Sequence, residues 1–125
     1  MLIAALVLTG LAALVHVYIF WLESLAWTGA ARQVFGTSAD EAEATRELAF
    51  NQGFYNLFLA IAVAIGTVLI AAGQRAAGAA LVFTGAGSMV AAGLVLYLSS
   101  PGKRDAALKQ LVLPLLGIVL LFLAL

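Results

Sequence analysis

The chain has 125 residues, of which 65% are hydrophobic and 10% charged, with six basic and six acidic side chains and no cysteine. A soluble domain averages about 45–50% apolar and about 25% charged, and a soluble chain this short cannot hide so much apolar surface, so part of its solvent must be lipid and a single domain, residues 1–125, is expected. The balanced charge leaves no basic surface for nucleic acid, and the missing thiols remove disulfides, thiolate nucleophiles, cysteine-ligated zinc and iron–sulfur clusters.

A hydrocarbon core ~30 Å thick needs ~20 helical residues at ~1.5 Å each. Residues 2–26 supply the first such run. No Lys or Arg precedes Arg32, and the run exceeds the short apolar core of a secretory signal, so it is expected to be a retained span. It carries His16 and Glu23. At about 100° per residue, Thr9, His16 and Glu23 fall within about 40° of one another, and Phe20 and Trp27 share their stripe. Trp21 and Trp27 suit the membrane interface.

The loop from Thr28 to Glu47 contains Ser38 followed by Glu41, a capping-box pattern that starts a helix at about Ala39. That helix is expected to continue through Arg46 and Phe50 into the second span, residues 48–72, with Asp40, Glu41, Glu43 and Glu47 outside the hydrocarbon. The second span opens with Asn51, Gln52, Tyr55 and Asn56, which cover an arc of about 140°. Gly53 lies opposite, where it admits a close neighbour.

Gly73-Gln74-Arg75 breaks the chain before a third span, residues 76–98. There Ala76, Ala80, Thr84, Ser88 and Ala92 recur every four residues, a small-residue pattern that packs helices within the bundle or between protomers. A homodimer through Ala80, Thr84, Ser88 and Ala92 is one expectation. Pro101-Gly102 is a strong turn signal. The fourth span, residues 106–125, is long enough if Lys109 snorkels its ammonium to the headgroups, and Pro114 with Gly117 predicts a kink. The fold expected is all-α, an integral membrane four-helix bundle.

Lys and Arg counts in short loops set orientation. Arg32, Arg46, Lys103, Arg104 and Lys109 flank the first and third loops, and only Arg75 flanks the second. Loops one and three are therefore expected on the cytoplasmic side, with both termini on the other. Helix rise then places Glu23 ~5 Å and His16 ~15 Å inside the cytoplasmic boundary, Asn51 and Gln52 ~5 Å in, and Tyr55 and Asn56 ~11–12 Å in. Two polar faces at one depth, on spans joined by one loop, make a single intramembrane pocket.

A single interhelical hydrogen bond from Asn, Gln or His is ordinary structural glue. Six polar groups at one level exceed that need, and ionisable groups in a membrane mark functional sites. His16 and Glu23 are the candidate acid–base pair, since histidine titrates near neutral pH; the plain alternatives are a neutral imidazole bonded to Asn56 or Tyr55, and a carboxylate reaching water or pairing with Arg32 or Arg46. Trp27, Asn51, Gln52, Tyr55 and Asn56 are the candidate ligand-binding residues. One histidine and no cysteine cannot complete a protein-only structural metal site, so no metal or cofactor is expected.

The stretch Asn51-Gln52-Gly53-Phe54-Tyr55-Asn56-Leu57-Phe58-Leu59-Ala60, with His16-Val17-Tyr18-Ile19, Glu23-Ser24-Leu25-Ala26-Trp27 and Val34-Phe35-Gly36, resembles the small bacterial membrane proteins grouped as domain of unknown function 1304. The resemblance covers the whole chain. It implies about four spans in a bacterial inner (plasma) membrane and signature positions at His16, Glu23, Trp27, Asn51, Gln52, Tyr55 and Asn56, and brings no established activity. Three functions compete. The first is a pocket for a small amphipathic, quinone-like or lipid-like ligand, with His16 and Glu23 able to do acid–base work. The second is a dimeric small-molecule or proton-coupled transporter, and the third an accessory subunit of a membrane complex.

Overall fold

In lipid every backbone N–H and C=O must be paired within the protein, and an α-helix pairs them within its own segment. The computed structural model describes residues 1–125. Helix α1 covers Leu2–Phe20 and continues as a wider π-turn over Trp21–Leu25. A short α2, Ala30–Phe35, follows, then α3, Ala39–Ala71, and α4, Arg75–Ser99. A 3-10 turn at Pro101–Lys103 leads into α5, Arg104–Ala124. Four of these units are long and apolar enough to cross a membrane. The chain is an all-α, four-span integral membrane protein in contact with the bilayer.

The helix borders follow local chemistry. Ser38 Oγ accepts the N–H of Glu41 at 3.2 Å and starts α3 at Ala39. With 33 residues, α3 is ~50 Å long, well beyond a ~30 Å core, and the charges of its first turns occupy the surplus. At its other end Gly73 adopts φ +88° while the Gln74 N–H reaches back to the Leu69 carbonyl at 2.8 Å. That left-handed cap falls to glycine because a Cβ would be strained there. The 21 residues of α5 give ~31 Å, enough to span, and the helix runs through a buried Pro114 as one element. Pro114 has no N–H to give the Gln110 carbonyl.

The spans pack as an up-and-down ring: α1 beside α3, α3 beside α4, α4 beside α5, and α5 back against α1, with α1 and α4 on the diagonal. One buried cluster joins Ala12, Ala60, Val63, Ala86 and Met89, and a second joins Ala5, Ile70, Val82 and Leu121. Small residues set the spacing, since without a hydrophobic drive in lipid close backbone approach carries the packing. A Cβ added to Gly66 would lie 2.7 Å from the Gly78 carbonyl oxygen.

On α4 the packing face is the row Gly78, Val82, Gly85, Met89 and Gly93, all buried. The four-residue row, expected to pack within the bundle or between protomers, is not the one that packs inside it: Ala76, Ala80, Thr84 and Ala92 are exposed and Ser88 is half-buried. Each four-residue step advances about 40° around a helix, so Ala76 and Ala92 stand about 160° apart and cannot share one face. The buried row breaks its four-residue steps with a three-residue step from Val82 to Gly85 and so stays within about 80° of one face.

Candidate functional site

The first span widens where it meets the second. At Trp21–Leu25 the backbone is a π-turn, and the Ala26 N–H bonds the Trp21 carbonyl at 2.9 Å. Such bulges recur at functional sites because they re-aim side chains. Here the segment presses Ser24 into the notch at Gly53, where an added Cβ would sit 3.0 Å from both Ser24 N and Ser24 Cβ. Ser24 Oγ donates to the Phe50 carbonyl at 2.7 Å. Phe20 packs edge-on against Phe54, with ring centroids 5.0 Å apart. This seam fixes the rotation of both helices and carries Glu23 to the second span.

Asn56 Nδ2 donates to Glu23 Oε1 at 2.9 Å, and to its own helix at the Gln52 carbonyl, 3.2 Å away. A hydrogen bond to a charged partner contributes roughly 1.5–3 kcal/mol, and a lone carboxylate in a membrane costs a few kcal/mol. The pair therefore answers how Glu23 is tolerated. It opens on a cavity of about 250 Å³ lined by Glu23, Trp27, Phe35, Gln52, Asn56, Ala92, Leu96, Lys103, Ala106 and Gln110. The cavity lies where α1 and α4 end and α3 and α5 begin, at the end of the bundle that holds the first and third loops. Trp27 is more than an interface anchor: its Nε1 donates to Thr45 Oγ1 at 3.0 Å, and its ring meets Phe35 at 5.7 Å.

Four of the seven expected site residues thus converge: Glu23, Trp27, Gln52 and Asn56. Asn51 and Tyr55 lie round the corner in an open groove of about 500 Å³, shared with Glu23, Trp27 and Gln52. Asn51 donates to its own helix at the Glu47 carbonyl, 2.9 Å away. Tyr55 is 66% exposed, on the outer face of α3. The cause is the facing of α3. Gly53 turns toward α1, and Asn56 is about 60° from Gly53 around the helix whereas Tyr55 is about 160° away.

His16 lines neither space. It is buried in the bundle core and its Nδ1 donates to the Ala12 carbonyl at 2.8 Å, while Nε2 makes no hydrogen bond. Seven residues separate it from Glu23, ~10 Å of helix. It bonds neither Asn56 nor Tyr55. Arg32 and Arg46 do not meet Glu23 either: Arg32 Nε donates to the Thr37 carbonyl, and Arg46 lies 3.7 Å from Glu43. No three of the His, Asp and Glu side chains gather in a metal-binding group. Lys103 and Gln110 are cavity residues that the sequence did not single out. They come from α5 and the turn before it, whose register on α1 is set by Gly117 against Thr9: an added Cβ there would lie 3.0 Å from Thr9 N. Gln110 and its neighbour Lys109 are the only polar side chains between residues 106 and 125.

Neither a curated protein nor a solved structure matches the chain. Residues 10–122, nearly the whole chain, match the family model described as "Protein of unknown function (DUF1304)", and the chain belongs to that family.

Proposed function

We propose that this four-span membrane protein binds a small amphipathic, lipid-like ligand in the cavity between Glu23, Asn56, Gln52, Lys103 and Gln110. The observation that carries this is the Asn56–Glu23 hydrogen bond inside a space that also holds unbonded amides. Glu23 Oε2, the side-chain amides of Gln52 and Gln110, and the Lys103 ammonium make no hydrogen bond in the protein. A pocket of apolar walls with a few convergent polar groups is the usual form of a ligand site. Trp27, Phe35, Leu96 and Ala106 supply those walls. Asn51 and Tyr55, in the adjoining groove, lie on the route by which a ligand would reach Glu23 from the membrane surface. The charge bias of the loops favours a cytoplasmic opening.

On this reading the pocket binds rather than transforms its guest. His16, bonded to its own helix at the Ala12 carbonyl, takes no part in it, and Glu23 is the polar anchor. The test is mass spectrometry of the full chain purified in mild detergent from its own membranes. Wild type should retain a non-protein mass that Glu23→Ala and Asn56→Leu variants lose, while Gly10→Ala, which meets nothing within 4 Å, keeps it. Retention by all four proteins alike, or by none, rejects the pocket.

A further inference from the structure

A second space adjoins the polar cavity. It is an apolar groove of about 260 Å³ between α1, α2 and α5, running along Val15, Ile19 and Leu22. Phe35, Ala106 and Gln110 line both spaces, so the two chambers meet across one shared wall. Sites that enclose a whole drug-sized ligand measure about 300–1,000 Å³. Each chamber falls below that range, so each suits part of a guest: one polar, the other apolar and ~10 Å long from Val15 to Leu22.

The charges narrow the polar part. Glu23 and Lys103 are the two charged residues of the polar chamber, and Lys109 flanks the apolar groove with its stem. A simple anionic head would meet the Glu23 carboxylate, and a simple cationic head would meet Lys103. A head that carries both signs satisfies the pair. In its ionised form Glu23 Oε2 accepts hydrogen bonds and donates none, so a positive end that brings N–H groups satisfies it where a quaternary one leaves it unbonded.

We propose that the joined chambers hold one membrane phospholipid with a primary-ammonium head. Its ammonium donates to Glu23, its phosphate sits at Lys103, and one acyl chain passes Ala106 into the groove between α1 and α5. The proposal rests on the polar cavity being a ligand pocket and adds the head chemistry and the path of the chain.

Native mass spectrometry of the delipidated full chain in maltoside detergent tests it, with phosphatidylethanolamine, phosphatidylcholine and phosphatidylglycerol of identical acyl chains added in turn. The choline head has no N–H and the glycerol head no positive charge. Phosphatidylethanolamine should bind roughly tenfold tighter than either, the scale of one charge-assisted hydrogen bond. Glu23→Gln should bring the ethanolamine-to-choline ratio near one. Ala106→Leu, which fills the shared wall, should weaken all three lipids. Equal binding of the three lipids by wild type, or preference for the glycerol lipid, overturns the proposal whether or not Ala106→Leu folds. If Glu23→Ala still strips a ligand acquired in native membranes, the pocket stands and only its lipid assignment falls. If no Glu23 dependence is seen in either experiment, both fall.

Discussion

Gly53 and Asn56 sit one turn apart on α3 and act in opposite ways on the π-turn of α1: the first makes room for Ser24, the second ties down Glu23. A Cβ at position 53 would meet Ser24 at 3.0 Å on two atoms, and it would push Oγ off the Phe50 carbonyl. Overpacking of this kind costs about 1–3 kcal/mol. Gly53→Ala is therefore expected to lower the thermal midpoint in detergent, followed by circular dichroism, while Gly10→Ala, in open space, leaves it within error. An unchanged midpoint for Gly53→Ala would mean that the seam yields freely. The Asn56–Glu23 bond is separable from general packing by a double-mutant cycle. Asn56→Ala alone leaves the carboxylate without its partner, at a cost of about 1–3 kcal/mol. In a Glu23→Ala background the same change should cost little, giving a coupling of roughly 0.5–3 kcal/mol. Additive losses would show that the bond contributes nothing of its own.

At the scale of elements, the crossing of α3 and α4 depends on Gly66 and Gly78 in the way the site depends on Gly53. A side chain on Gly66 would meet the Gly78 carbonyl at 2.7 Å and Val82 N at 2.9 Å. Gly66→Leu should abolish the monodisperse species on size exclusion, whereas Gly87→Leu, with nothing within 4 Å, should elute as wild type does. Equal elution of both variants would contradict the crossing. These two glycines also show what can be read from sequence. The spans were visible because apolar length is a local property, as was the start of α3, where Ser38 and Glu41 sit at capping spacing. Which face of a span turns inward is a property of pairs. The row from Ala76 to Ala92 looked continuous at a step of four, yet its phase drifts about 40° at each step. Tyr55 and Asn56 were equivalent until Gly53 was known to face Ser24. Glu23, Gln52 and Asn56 were legible as polar residues at membrane depth, and Trp27 as an aromatic at the interface. Lys103 and Gln110 were not, because their nearness to Glu23 follows from the register of α5 on α1. The π-turn has no signature in composition at all; it stands where Ser24 fits into the second span at Gly53.

For the whole molecule, the ring of four spans puts the cavity, the protruding start of α3 and the first and third loops at one end, and Gly73, Gln74 and both termini at the other. Which leaflet supplies a ligand to the cavity depends on which end faces the cytoplasm. Five of the six basic residues flank the cavity end: Arg32, Arg46, Lys103, Arg104 and Lys109. Positive charge held back on the cytoplasmic side during insertion predicts that this end is cytoplasmic. The chain has no cysteine, so a single introduced thiol reports one loop without background. Three variants suffice: Thr37→Cys in the first loop, Gln74→Cys in the second and Gly102→Cys in the third. Thr37 is half-buried, and Gln74 and Gly102 are exposed, and an added Cβ at Gly102 meets nothing within 4 Å. In intact spheroplasts a membrane-impermeant maleimide should label Gln74→Cys at once. It should label Thr37→Cys and Gly102→Cys only after permeabilisation, with Gly102→Cys deciding the third loop should Thr37→Cys react slowly. The reverse pattern would open the Glu23 cavity to the outside, and ligands would then be sought among molecules delivered to the outer leaflet. Labelling of all three in intact cells would mean that the chain inserts in both directions, which a bias of five basic residues to one should prevent.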